Sequence, residues 1–337
     1  MSVLIPAYNA EDTIDAALES VLTQTYTDFE LIVVDDGSVD RTLERCRFHA
    51  VDGRLRVVSH ERNLGRPAAR NTAFATATGE YVAMLDADDC CLPQRLARQV
   101  SFLDQHYDID VVGSWWRGMD AGGRLMPLKR NQRKLDADTV NCLLLFRGII
   151  HNPTVMARRV ALTGFEYDSS FPVAQDYDLW ARMQQAGHRF AQIPEVLLHY
   201  RQHELQASVA RAAEARDRRC EIQARLLTSL GMQFSDREVV NHNLLYTGRR
   251  LYEARIGKPM DREFVAWAEQ WFERLMGANA TSGFYPEPAF SSLVSRLWFD
   301  CCRKAARPVG QLSVWRRFLG STAGRYYLRR VWRAAAL

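Results

Sequence analysis

The feature that most restricts the fold is an alternation, over the first third of the chain, of short apolar runs with segments of helical periodicity. Val3-Leu4-Ile5 precedes residues 11–22, where Ile14, Ala17, Leu18, Val21 and Leu22 recur at helical spacing behind Glu11, Asp12 and Asp15. Leu31-Ile32-Val33-Val34, Leu55-Arg56-Val57-Val58 and residues 81–85 read as further strands, with helices expected from Asp40, from Pro67 and after Pro93, and another strand at 109–113. Strands bridged by helices predict an α/β fold with a doubly wound, mostly parallel, Rossmann-like sheet buried on both faces.

Ligands of such sheets bind outside the carboxyl ends of the strands. Three of those ends carry Pro6-Ala7-Tyr8-Asn9, Asp35-Asp36-Gly37-Ser38 and Asp86-Ala87-Asp88-Asp89, so the polar signals converge on one edge. After about residue 205 the alternation stops, and residues 212–230 and 262–276 read as amphipathic helices. The expected division is an α/β domain carrying the polar strand ends at 1–204 and a mainly helical region at 205–337. A polar, glycine-bearing loop at 118–134 is a candidate flap over the site.

Composition narrows the setting. No run reaches the roughly 18 apolar residues that a membrane span needs, and no signal-peptide pattern precedes the first strand, so a cytoplasmic location is expected unless the chain docks on a membrane. Seven cysteines, with adjacent pairs at Cys90-Cys91 and Cys301-Cys302, suit neither zinc spacing nor a disulfide framework, and reduced thiols are expected. Charge is uneven: 22 basic against 28 acidic residues stand in 1–204, and 22 against 12 afterwards.

Each motif has a chemical and a structural reading. Pro6 rigidifies a turn that offers the Tyr8 ring to a flat ligand, or the segment is a plain turn. Asp35 and Asp36 close an apolar strand, while Ser38 and Asp40 suit a helix cap. Three carboxylates among Asp86, Asp88 and Asp89 repel one another unless a cation sits among them, and hard oxygen ligands suit Mg²⁺ or Mn²⁺; a cap before the helix after Pro93 is the structural alternative. Arg66 and Arg70 stand one turn apart after the Gly65 turn and suit phosphate or carboxylate equally. Asp176 opens a helix whose apolar face carries Leu179, Trp180 and Met183, where it is either a base or a cap.

Together with Gly79-Glu80-Tyr81, Leu92-Pro93 and Gln175-Asp176-Tyr177-Asp178, these segments resemble the sugar-transfer site of the family 2 inverting glycosyltransferases, of GT-A fold, over about the first 205 residues. The resemblance implies a nucleotide-sugar site formed by Pro6, Ala7, Tyr8, Asp36, Arg66, Arg70, Asp86 and Ala87, with Asp36 accepting a hydrogen bond from the base. It implies Asp88 as direct ligand of Mn²⁺ or Mg²⁺, Asp86 nearer the ribose and at most an indirect ligand, and His203 as a further ligand. Arg66 would approach the diphosphate and Arg70 orient Asp36 or Asp86. Asp176 takes the place of the base that deprotonates the acceptor; Gln175 departs from the Glu common there, and His151 falls near the acceptor. The implied donor is a UDP-, GDP- or dTDP-sugar, and the acceptor a glycan or lipid-linked glycan in polysaccharide or glycolipid assembly.

Two other readings compete. A sugar nucleotidyltransferase would want a glycine-rich basic loop after the first strand, which Pro6-Ala7-Tyr8-Asn9-Ala10 lacks, as it lacks a dehydrogenase's Gly-x-Gly-x-x-Gly. A silent nucleotide-sugar scaffold would have no need of acids at 36, 86, 88 and 176. The tail at 303–337 is basic and aromatic, and in 325–337 Leu328, Val331, Trp332 and Ala335 share a helical face among Arg329, Arg330 and Arg333. Contact with a membrane surface or packing within the protein suits it; nucleic acid does not, for want of a recognition module.

Overall fold

A computed structural model describes residues 1–128, 133–202, 211–246, 252–253, 256–257 and 259–335. Its centre is one eight-stranded mixed sheet in the order β3-β2-β1-β4-β7-β6-β8-β5. β1 (Ser2–Ala7), β2 (Glu30–Asp35), β3 (Leu55–Ser59) and β4 (Tyr81–Met84) are parallel neighbours, joined through α1 (Ile14–Leu22), α2 (Thr42–His49) and α3 (Arg66–Thr76). β1, β2 and β4 are continuously apolar because helices cover both faces, and Val3, Ile5, Leu31, Val33 and Ala83 are wholly buried. The edge strand β3 leaves Arg56 in solvent. This is the predicted GT-A architecture, followed in the chain by a helical C-terminal region.

The second half of the sheet departs from the sequence reading. β6 runs from Val111 to Met119, past the expected strand, and pairs in parallel with β8 (Phe190–Arg201), which the sequence did not suggest. The short β5 (Cys90–Cys91) and β7 (Met156–Arg158) pair antiparallel with β8 and β4; α4 (Arg95–Gln105) follows β5 and α5 (Ala137–Leu143) follows β6. Gly118 and Met119 therefore belong to a strand. The expected flap begins as a tight hairpin, in which Met126 N–H donates to Gly118 O at 2.8 Å and Asp120 N–H to Arg124 O at 2.9 Å. Residues 129–132 of that loop lie outside the described residues.

Two compact units result, Met1–Val140 with Gly148–Arg218, and Asn141–Arg147 with Arg219–Leu337. All seven cysteines are free thiols. No described helix is long and apolar enough to cross a membrane.

The second unit contains α7 (Ala212–Ser229) from Arg219 onward, α8 (Asp236–Leu245), α9 (Arg262–Ser282), α10 (Ala289–Val309), α11 (Gln311–Gly320) and α12 (Thr322–Ala335). α8 starts with a reciprocal Ser235–Glu238 capping box, and α9 with Asp261 accepting Phe264 N–H at 2.9 Å. Its core is aromatic: Trp271, Phe272, Phe290 and Trp298 are buried, and Trp298 Nε1–H donates to Ser321 Oγ at 2.9 Å.

His242 is buried there without charge. Trp271 Nε1–H points at its Nδ1 (3.0 Å) and its Nε2 faces Leu145 O (2.9 Å), an arrangement that only the neutral Nε2–H tautomer satisfies. Burial depresses this imidazole to about 4. The unfolded chain therefore binds a proton that the native state refuses between the ordinary histidine range and pH 4. Stability is complete above that range and falls as pH drops through it. Lowering pH from 7 to 5 should cost about 2 kcal/mol in urea unfolding, and His242→Phe should lose that increment.

Candidate active site

Winding reverses at β1, with β2 and β3 on one side and β4 on the other, so the topological switch point, where sheets of this kind take their ligands, falls at the carboxyl ends of β1 and β4. One wall is stitched from two strand ends. Asp36 N–H donates to Ala7 O (2.8 Å), Asn9 N–H to Ser38 Oγ (3.0 Å), and Val39 N–H to Asn9 Oδ1 (3.0 Å). Asn9 adopts a left-handed φ of 48°, leaving the Tyr8 ring 46% exposed beside Pro6 and Ala7. The capping reading fits Asp40, whose Oδ1 accepts Thr42 N–H at 2.9 Å at the mouth of α2.

Asp36 is buried and holds the next loop. Oδ1 takes Leu64 N–H (3.0 Å) and His60 Nδ1 (2.7 Å), and Oδ2 takes Gly65 N–H (2.8 Å). A carboxylate only accepts, so the His60 proton sits on Nδ1, and Nε2 meets the Thr72 hydroxyl at 2.9 Å. Arg70 is not a partner of Asp36. Its guanidinium, buried on α3, donates to Asp86 Oδ1 at 2.7 Å and lies over the Tyr167 ring at 5.2 Å. Arg66 is exposed at the start of the same helix and forms no ion pair with another described residue.

Beyond β4 the oxygens of Asp86, Asp88 and Asp89 lie within 4.8 Å of one another, while Ala87 is buried between them. Asp89 is fully buried; Oδ1 accepts Arg201 N–H at 2.8 Å, and Oδ2 meets no donor. Burial, followed by the charges of Asp88 and Asp86, pushes its carboxyl well above the usual range. Asp89 is thus an inward member of the triplet and braces β8, where a helix cap had been the alternative. The Arg95 charge and the Arg201 N–H offset that upward push only in part; the Arg95 guanidinium donates to Met84 O (2.7 Å) and Val155 O (3.1 Å), and that of Arg201 to Asp88 O (2.8 Å) and Ala121 O (2.9 Å). All-oxygen donors, like charge and an orphaned buried oxygen fit a hard divalent cation.

Asp176 lies in the first turn of α6 (Gln175–Gln185), behind Ala174, which is held left-handed at φ 57°. Such a φ is costly for a residue with a Cβ and marks a position that the surroundings impose. Burial raises the Asp176 carboxyl, while the Arg70 charge and Tyr177 N–H (2.9 Å) oppose it, and Asp86 adds a smaller upward push. Gln175 is buried with Oε1 lacking a donor, and Asp178 is committed to Arg182 at 2.9 Å.

Several residues here carry no sequence signal. Tyr167 is fixed by Asn71, through Tyr167 N–H to Asn71 Oδ1 (2.8 Å), and by its own hydroxyl donating to Asn152 Oδ1 (2.6 Å). Tyr200 feels the triplet and the α6 acid together: burial raises its phenol, and Asp86, Asp89, Asp88 and Asp176 raise it further. A register shift in β6 between Ser114 and Trp116 precedes the packing of Trp116 on Tyr200 (5.1 Å) and on His151 (5.2 Å). His151 thereby joins the aromatic side of the site. His203 lies outside the described residues.

A family model described as glycosyl transferase family 2 matches residues 2–164. An uncharacterized glycosyltransferase of Methanocaldococcus jannaschii is 33% identical over 204 residues, 60% of this chain and 70% of its own. An Escherichia coli protein named UDP-Glc:alpha-D-GlcNAc-diphosphoundecaprenol beta-1,3-glucosyltransferase is 33% identical over 187 residues, 53% of this chain and 68% of its own. Among solved structures, S. aureus TarS 1-349 in complex with UDP-GlcNAc superposes with a TM-score of 0.60 at 20% identity, covering 97% of this chain and 91% of that one. A Pyrobaculum calidifontis mannosyltransferase in complex with GDP-Man and Mn²⁺ gives 0.56 at 19% identity, covering 90% and 86%. At such identities the two structures speak to the fold alone.

The wall around Asp36 depends on Gly37, whose φ is 69° and whose absent Cβ would come within 2.5 Å of the Arg62 carbonyl carbon. Gly37→Ala should destabilise the protein by about 2–4 kcal/mol, read by urea unfolding, because it adds left-handed strain and pushes the 62–65 loop off the Asp36 carboxylate.

Proposed function

Because the chain belongs to glycosyl transferase family 2, we propose that it moves a sugar from a nucleoside-diphosphate donor to an acceptor hydroxyl with inversion, in a catalytic region at 1–204. That it is a glycosyltransferase follows from the family. The finer reading rests on one observation: buried Arg70 lies in the field of both Asp86 and Asp176, so the acid triplet and the α6 carboxylate belong to one electrostatic site.

In this reading the exposed Tyr8 ring stacks on the base, and Asp36 Oδ2, which has one protein donor, accepts the base N–H. Pro6, Ala7 and Ala87 close the slot. Arg66, exposed at the N-terminal end of α3, meets the diphosphate where the helix end also favours negative charge. Asp88 and Asp89, with Asp86 indirect, would hold Mn²⁺ or Mg²⁺, and the chemistry such a cation would supply is neutralisation of charge on a diphosphate leaving group. Asp176 takes the acceptor hydroxyl proton as that oxygen bonds to the anomeric carbon from the face opposite the diphosphate; the bond from carbon to the phosphate oxygen breaks, and its electron pair leaves with the diphosphate. The Gly118–Met126 hairpin, clamped through Arg201 to Ala121, helps exclude water that would hydrolyse the donor.

The UDP-GlcNAc and GDP-Man named for the structural neighbours support a UDP- or GDP-sugar donor, while a dTDP-sugar rests on the family resemblance alone. The diphosphoundecaprenol in one relative's name, and the amylovoran biosynthesis in another's, support a lipid-linked glycan or growing polysaccharide as acceptor.

Asp176→Asn should lower kcat by about 10²–10⁴-fold while calorimetric donor affinity stays within about threefold. Undiminished transfer in that variant sinks the assignment. Chelation by EDTA should stop transfer and added Mn²⁺ restore it; turnover persisting in excess chelator would remove the cation from the scheme.

The pH profile supplies a separate check. The base form of Asp176 is lost as pH falls through a carboxyl pKa raised by burial, so the acidic limb of kcat should lie above the ordinary aspartate range. Arg70→Met removes the opposing charge and should move that limb to higher pH, as initial rates across the pH range will show.

A further inference from the structure

We infer that α11 and α12 form a docking face for an anionic membrane surface. The inner sides of both helices are already occupied. Val314 and Phe318 of α11 are buried, and Tyr327 of α12 stacks on Phe299 of α10 at 4.7 Å with an interplanar angle of 7°. The outer sides nonetheless carry apolar groups with no task in the core. On α11, Leu312 is 81% exposed and Leu319 54%, with exposed Arg316 between them on the same stripe. On α12, Arg325, Arg329 and Trp332 recur along one side, and Trp332 is 76% exposed.

Charge selects the partner. Residues 301–337 contain nine basic residues and no acidic one. Arg317 is taken by Glu269 and Arg325 by the Gly320 carbonyl, whereas Arg316, Arg329 and Arg330 form no ion pair with another described residue. Single apolar side chains set between arginines do not make the contiguous patch that a protein interface buries. They suit shallow insertion, with Leu and Trp at the acyl boundary and guanidinium groups on lipid phosphates. A nucleic acid would use the arginines and leave both leucines in water. The inference is independent of the roles given to Asp36, Asp88 and Asp176, and it sets the enzyme where a lipid-linked acceptor would be presented.

The full chain is tested by co-sedimentation with vesicles of phosphatidylcholine alone and with about 30% phosphatidylglycerol. Binding to the anionic vesicles should be on the order of tenfold stronger and weaken in high salt. Arg329→Gln/Arg330→Gln/Trp332→Ser should return binding to the level of neutral vesicles, and Leu312→Ser/Leu319→Ser should weaken it at both salt concentrations. These positions are exposed, so far-UV circular dichroism should be unchanged, and transfer to a water-soluble acceptor analogue should match the parent. Equal partitioning of the parent between the two vesicle types overturns the proposal, as does a triple variant that still binds the anionic ones. A parent that ignores vesicles but is converted from dimer to monomer by the triple variant assigns the face to a second copy. Loss of transfer by Asp176→Asn with vesicle binding intact keeps the two proposals apart.

Discussion

The arrangement hangs on one buried cation. Arg70 brings a guanidinium into the interior with a single hydrogen bond to Asp86 and with its Nε lacking any acceptor. Burial alone would make such a group costly. It is held by the Asp86 charge, the Asp176 charge and the face of Tyr167, which Asn71 and Asn152 fix in turn. One side chain therefore ties the end of β4, packs on Tyr167 and reaches the first turn of α6 through its charge. Truncating it would leave Asp86 and Asp176 as neighbouring acids without compensation, so folding and the electrostatics of the site are coupled at this point.

Other arginines of this unit, Arg95 and Arg201 buried and Arg158 half-buried, do a different job. Arg95, Arg158 and Arg201 donate mainly to backbone carbonyls at strand and helix ends: Met84 and Val155, Ile109 and Leu103, Asp88 and Ala121. They satisfy carbonyls where the mixed sheet changes direction, which a regular ladder would not reach. Asp88 and Asp86 nonetheless raise the Asp89 carboxyl, with the Arg95 charge a smaller opposing influence. Within the triplet, Asp86 is the member that a guanidinium meets directly, through Arg70 at 2.7 Å.

Much of this was legible in the residues. The doubly wound half could be read from Val3 to Leu85 because strands buried on both faces are apolar without alternation, and because their carboxyl ends carry the only dense polar signals. β5, β7 and β8 were not legible: two or three residues have no periodicity, and β8 is identified only by a partner some eighty residues earlier in sequence. The clustering of Asp86, Asp88 and Asp89 was legible from local spacing, whereas the choice between an inward acid and a cap for Asp89 was not, because its partner, Arg201, is remote in sequence. His60, Tyr167 and Tyr200 gave no sign, since an isolated histidine or tyrosine acquires meaning only from what the fold sets beside it. Arg70 was assigned either of two acids, and only the structure separates Asp86 from Asp36.

The α6 carboxylate shows how these constraints combine. An ordinary aspartate is a weak base at neutral pH, and one buried without compensation becomes a neutral acid. Asp176 sits between those limits. Burial and Asp86 push its carboxyl up; Arg70, Tyr177 N–H and the positive end of α6 favour the charged form. Ala174, at a left-handed φ, turns the chain into that helix, and the buried neighbours Gln175 and Tyr177 keep it there. Strain in the backbone and a charge one helix away thus act on the same oxygen atoms. Moving either would retune the proposed base without touching it.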